Sequence, residues 1–251
     1  MNMYYLSELV GSFIFLAGGF AYGANTSLKK TFLGKFNPVT CAFAWGTSLA
    51  FGVAIAIAMG GPACLNPAVA LGLLITRDMT GAQFGMILLM EFIAAGLAVL
   101  FTWMFYYKNF KETTEGSKRG IFAAYPVEYD LWVNFAQEIM CSVIFIFILF
   151  MTLYNNLPDN IPGLGQVGIA GNALVTLFTI IWIAYTYSST GFSMNPMRSV
   201  FSSIWYAIFP IANKNDKVDW KYQIIVNVFG STIGMVIGVV LAQLVKRALG
   251  A

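Results

Sequence analysis

"GPACLNPAVALG", residues 61–72, decides how this chain is read. It sets an Asn-Pro pair inside an otherwise apolar stretch. A second pair returns in "GFSMNPMRSV", residues 191–200, with Arg198 just behind it. Asparagine is a strong helix N-cap, and proline suits the first helical turn, where its missing N–H would have no partner anyway. Asn66-Pro67 and Asn195-Pro196 therefore each start a helix. The apolar pieces that follow, about 66–76 and 195–208, are too short to cross a bilayer and fit re-entrant half-helices. The segments in front, "GGPACL" (60–65) and "SSTGFSM" (188–194), are irregular by composition. Inside lipid, irregular backbone survives only where protein buries it or where it lines a watery cavity.

The rest of the chain supports a membrane setting. Of 251 residues 59% are hydrophobic and only 10% charged, against about 25% charged in a typical soluble domain. Six long apolar segments, about 4–24, 39–59, 83–107, 131–153, 168–187 and 222–245, can each span a bilayer. The linkers between them are polar, including 108–130. The first apolar run begins almost at Met1 without a basic leader, so no signal peptide is expected. The net charge of +3 gives no reason to expect a nucleic-acid partner. Cys41, Cys64 and Cys141 lie in or beside apolar segments, which argues against a disulfide framework. The chain has no histidine, so Ser-His and Cys-His pairs and histidine metal sites are absent. No carboxylate pair sits at helical spacing within one apolar segment, and neither enzyme chemistry, a cofactor nor a metal is expected.

The two halves repeat. "SELVGSFIF" from Ser7 aligns with "QEIMCSVIF" from Gln137, setting Glu8 on Glu138, Ser12 on Ser142 and Phe15 on Phe145 at an offset of 130. The Asn-Pro pairs repeat at an offset of 129. With three spans per repeat, the second half enters the membrane from the opposite side, and a site near the midplane follows. The repeats are set at 1–107 and 131–247, joined by 108–130, within one channel domain spanning 1–251. The two half-helix starts then meet from opposite faces. Their dipoles point positive ends at one spot, which repels cations, hydronium included, while the asparagine amides offer donors to a passing oxygen.

These paired half-helices, the glutamate in spans one and four, and the arginine after the second motif resemble the aquaporin and aquaglyceroporin (major intrinsic protein) family over nearly the whole chain. "CLNPAVALG" and "TGFSMNPMRS" carry the likeness; "MFYYKNF" and "TGFSMNP" look most like the bacterial glycerol facilitators. The resemblance implies an all-α membrane protein of six transmembrane helices and two re-entrant half-helices around a pore. It implies a homotetramer with one pore per subunit and passive flux of glycerol and related polyols with water. The alternative is a water channel with little glycerol flux.

It also assigns residues. Asn66, Pro67 and Ala68, and Asn195, Pro196 and Met197, match the two family motifs; Met197 stands where alanine is usual. Arg198 matches the selectivity-filter arginine, and an arginine deep in an apolar run needs water or a partner. Phe192 matches the filter aromatic of glycerol facilitators. The span-two position falls on the Trp45-Gly46 pair: ungapped counting from Asn66 reaches Gly46, and Trp45 is chosen. The span-five position, twelve residues before Asn195, falls on Ile183, where glycerol facilitators have glycine. Glu8 and Glu138 are expected to accept N–H bonds from the irregular loops. Glu91 replaces the usual glutamine, and Ser199 the usual aspartate. The family topology puts both termini in the cytoplasm of a cell-membrane protein. Ten Lys/Arg then lie outside (29, 30, 35, 108, 111, 118, 119, 214, 217, 221) and three inside (77, 246, 247). That is the reverse of the positive-inside rule; the family topology is preferred.

Overall fold

A computed structural model describes residues 2–152 and 168–248. All regular structure among the described residues is helical. Six helices are long and apolar enough to cross a membrane, and the chain is a multi-pass membrane protein. In order they are α1 (Met3–Ser27), α2 (Pro38–Ala58), α4 (Gly81–Phe105), α7 (Leu131–Thr152), α8 (Gly168–Thr186) and a last span over Trp220–Ala248. That last span begins as α10 (Trp220–Tyr222), widens into a π-helical stretch over Gln223–Gly230, and ends as α11 (Ser231–Ala248). Between α4 and α7 lie the short α5 (Tyr107–Glu112) and α6 (Arg119–Phe122).

The two expected half-helices are present. The first is α3 (Pro67–Ile75), capped by the Asn66 side chain, which accepts from Ala68 N. The second opens as a π-helical turn, Met197–Phe201, and continues as α9 (Ser202–Ile208).

Spans of one half pack on each other and meet the other half at the centre. α1 lies against α2 and α4, α7 against α8 and α11, and α2 against α8 joins the halves. The α1–α2 crossing needs glycine. A Cβ on Gly11 would sit 2.8 Å from the Gly52 carbonyl, and one on Gly52 would sit 2.6 Å from that of Gly11. Without an internal hydrophobic drive in lipid, such small-residue contacts let helices approach closely.

The 108–130 stretch is not a simple linker. Phe110 and Phe122 are fully buried and stack at 6.2 Å, and Phe122 stacks on Tyr206 of α9. Asp216 fastens the stretch to the second half. Its carboxylate accepts from Ser117 Oγ, from the Lys118 and Arg119 backbone N–H groups, and from the Tyr206 hydroxyl. Burial pushes this carboxyl up, but the Ser117 bond and the two N–H groups outweigh that and hold it below its ordinary range.

Candidate functional site

The two irregular loops share one backbone plan. Ala63 and Leu65 in the first loop, and Phe192 and Met194 in the second, take left-handed φ values of 53°, 48°, 41° and 46°. These positions match at the 129-residue offset. Non-glycine residues adopt this region at a cost of about 1 kcal/mol or more each, so something must hold them there. The glutamates do. Glu8 accepts from Cys64 N at 3.1 Å and from Leu65 N. Glu138 accepts from Met194 N at 2.5 Å and from Thr190 Oγ1 at 2.6 Å. Both carboxylates are fully buried. Left-handed turns expose successive N–H groups as a concavity suited to an anion, and the carboxylates fill it.

The loops also hold each other. Asn66 Nδ2 donates to the Met194 carbonyl at 2.7 Å, and Asn195 Nδ2 donates to the Leu65 carbonyl at 2.8 Å. Each amide oxygen meanwhile caps its own half-helix, Asn66 through Ala68 N and Asn195 through Met197 N. Each NH₂ therefore has one hydrogen committed across the interface and one left for another acceptor. Pro67, Ala68 and Met197 are buried at the junction, and Pro196 leads into the π-helical turn. Met197 is fully buried.

Three cavities follow one another through this point. A vestibule of about 390 Å³ has Trp45, Phe192 and Arg198 in its lining, with Cys41, Ile121 and Tyr125 among its walls. The same Trp45, Phe192 and Arg198 line a narrow cavity of about 20 Å³, which continues past Phe15, Phe145 and Ile180 to Asn66 and Asn195. Both asparagines, with Leu49 and Phe145, then line a second narrow cavity of about 20 Å³ that includes Cys64 and Thr176. Shared lining residues make this a single path from the vestibule past both asparagines. Phe15 and Phe145, the aligned pair of the two repeats, both line it.

At the vestibule floor the Arg198 guanidinium carbon lies 4.1 Å from the Trp45 ring centroid and 5.0 Å from that of Phe192. Nη1 donates to the Gly191 and Phe192 carbonyls at 3.1 and 2.6 Å, which fixes the side chain, while Nε–H has no protein partner. The arginine is buried, with no carboxylate in salt-bridge range among the described residues.

Trp45, not Gly46, faces the path. A Cβ on Gly46 would lie 3.0 Å from Leu177 and 3.3 Å from Ile181, so Gly46 faces α8. Trp45 owes its place to a residue the sequence did not flag: a Cβ on Gly19 would lie 2.2 Å from the indole. Phe15 and Phe20 pack edge-on against it at 5.7 and 6.1 Å. Ile183 departs from expectation. It is fully buried but lines none of these three cavities. At the vestibule's level Ser188, Gly191 and Phe192 form that wall, and Ile180, one turn deeper on α8, reaches the narrow cavity. Ser199 pairs with Ser193 at 2.5 Å, tying the second half-helix to its own loop. Glu91 is fully buried in α4, and neither of its carboxyl oxygens has a hydrogen-bond partner among the described residues.

A membrane path flanked by two capped half-helices defines a channel of inverted-repeat type. The chain belongs to the major intrinsic protein family, whose sequence profile matches residues 2–245. It is 28% identical over 245 residues to glycerol uptake facilitator protein 2 of Lactiplantibacillus plantarum, covering 96% of this chain and 99% of that one. It is also 28% identical over 240 residues to the glycerol uptake facilitator of Streptococcus pneumoniae, covering 95% of each. Among solved structures, the X-ray structure of the Plasmodium falciparum aquaglyceroporin superposes with a TM-score of 0.78 at 20% identity. It covers 98% of this chain and 96% of that chain, a likeness of fold.

Proposed function

We propose that the protein carries glycerol and related small polyols, with water, passively across the membrane. The observation that carries this is the meeting of Trp45, Phe192 and Arg198 at the mouth of the narrow path. The two aromatic side chains give the carbon backbone of a polyol an apolar wall. The guanidinium beside them, fixed by two loop carbonyls, offers donors to its hydroxyls. Transport needs no covalent step. The buried positive charge and the two half-helix starts oppose cations. The names of the related glycerol uptake facilitators support the same substrate class.

A second reading, water flux with little glycerol, draws on the narrowness of the path. A cavity of about 20 Å³ has room for a water or two, and Ile180 narrows it. Stopped-flow light scattering on proteoliposomes separates the readings. Under the first, vesicles shrink quickly and then re-swell in glycerol faster than empty liposomes. Fast shrinkage with re-swelling no faster than empty liposomes establishes the second.

We further infer a homotetramer with one path per subunit, cytoplasmic termini, and repeats at 1–107 and 131–247 joined by 108–130. The matched φ values and the reciprocal asparagine bonds support that division. Cross-linking in intact membranes tests the tetramer, and protease access to 108–130 in intact cells tests the orientation.

A further inference from the structure

A cleft of about 600 Å³ opens between the end of α3 and the last turns of α11. Ile75 and Leu244 form an apolar wall, Thr76 and Gln243 sit between, and Arg77 and Arg247 supply charge. Both arginines are exposed, and neither has a carboxylate within salt-bridge distance among the described residues. The nearest acid in sequence, Asp78, is engaged elsewhere: it accepts from Thr76 Oγ1 at 2.5 Å, and its charge acts on Lys246. Ile75 and Leu244 are exposed too.

We propose that this cleft binds an anionic phospholipid, its phosphodiester held between Arg77 and Arg247 and an acyl chain lying on Ile75 and Leu244. The cleft lies at the ends of a half-helix and a membrane-spanning helix, where headgroup and hydrocarbon meet. A free anion would use the arginines but leave the apolar wall against nothing of its own kind; a zwitterionic lipid would cover the wall but bring a cation to the arginines. Only an anionic lipid answers both. Basic pockets between spans suit such headgroups.

The site has a mechanical consequence. α3 has nine residues, and the Asn66 cap lies at its other end. Its middle rests on α7 and α11, where a Cβ on Gly72 would meet Phe150 at 2.8 Å and Val239 at 3.0 Å. A headgroup bridging Arg77 and Arg247 therefore clamps the half-helix to the last span. The effect falls on stability, whatever solute the path conducts.

The test is native mass spectrometry of the purified full chain in mixed detergent–lipid micelles, with phosphatidylglycerol and phosphatidylcholine as competing probes. The parent is expected to retain phosphatidylglycerol preferentially. In R77Q/R247Q that preference should fall on the order of tenfold, with phosphatidylcholine retention unchanged. Phosphatidylglycerol should also raise the parent's thermal midpoint, and the double variant's not at all. Equal retention of both lipids by the parent overturns the proposal, as does an undiminished preference in the variant. Displacement of phosphatidylglycerol by excess inorganic phosphate would assign the arginines to free anions and overturn it as well. An unchanged melting midpoint in phosphatidylcholine alone shows that the variant is folded.

Discussion

Ala63 and Phe192 hold the same backbone position in the two pore loops, with φ of 53° and 41°, yet one carries a methyl group and the other a phenyl ring. Val69 and Arg198, also matched at the 129-residue offset, are both buried, one apolar and one charged. Around these pairs the halves agree. Each has a buried glutamate accepting hydrogen bonds from its loop and an asparagine reaching the other loop's carbonyl. The support is duplicated because inserting irregular backbone into a membrane poses the same problem from either face. In the proposed function the filter is not duplicated, because one ring suffices to choose a solute and a second would only slow it. A doubled fold can thus serve a single-ended function.

The strongest way to break this comparison is to remove its shared supports. Glu8→Gln and Glu138→Gln each weaken two charge-assisted bonds, a loss of roughly 3 kcal/mol. The two variants should show similarly lowered thermal midpoints in detergent, with whatever protein survives still excluding protons. A drop in one variant alone, or proton leak at parental stability, would show that the carboxylates do different work.

Removing the asparagines comes next. Asn66→Ala and Asn195→Ala each lose a cap and leave the opposite carbonyl without its donor, together about 2 kcal/mol. Because each residue completes the other's loop, the double variant should cost less than the sum of the singles, as a double-mutant cycle in melting experiments would report.

Thiol chemistry sharpens the map of the path. Cys41 lies in the vestibule wall and Cys64 in the cavity beyond the asparagines. A bulky thiol reagent applied to the vestibule side should label Cys41 and slow flux, and Cys41→Ser should abolish that block. Small mercurials should also reach Cys64. Mass spectrometry showing bulky labelling at Cys64 would mean the constriction lies elsewhere.

The smallest effect is expected at a third Asn-Pro pair. Asn37 caps α2 as Asn66 caps α3, its Oδ1 accepting from Val39 N and Thr40 N at 2.9 and 3.3 Å. It is exposed and reaches no second loop. Asn37→Ala should cost about 1 kcal/mol of cap and leave water and glycerol flux unchanged.

That third pair also shows what was legible in the sequence. Asn-Pro stands at a helix start in all three places and by itself says nothing about a pore. The distinguishing signal was long-range: a glutamate at near-constant distance upstream and a second copy of the arrangement. The six spans followed from the lengths of the apolar runs, and both half-helices from Asn-Pro ahead of runs too short to cross. Features depending on packing between distant segments did not. Nothing about Gly19 marks it as the floor under Trp45. Counting from Asn195 reached Ile183, whereas helix packing brings Ile180 to the path. The 108–130 stretch looked like a polar linker because its charges hide Phe110, Ile121 and Phe122, which turn inward. The π-helical opening of the second half-helix had no sequence signal that we can identify.

The most direct test of the single-ended filter is to make the second loop a copy of the first. F192A/R198V installs the residues found at 63 and 69. Proteoliposomes of this variant, monitored by stopped-flow scattering and an internal pH dye, should still shrink as fast as the parent's. They should re-swell in sorbitol nearly as readily as in glycerol, and should leak protons that the parent excludes. A folded double variant with the parent's glycerol-over-sorbitol preference and the parent's proton tightness would contradict the account.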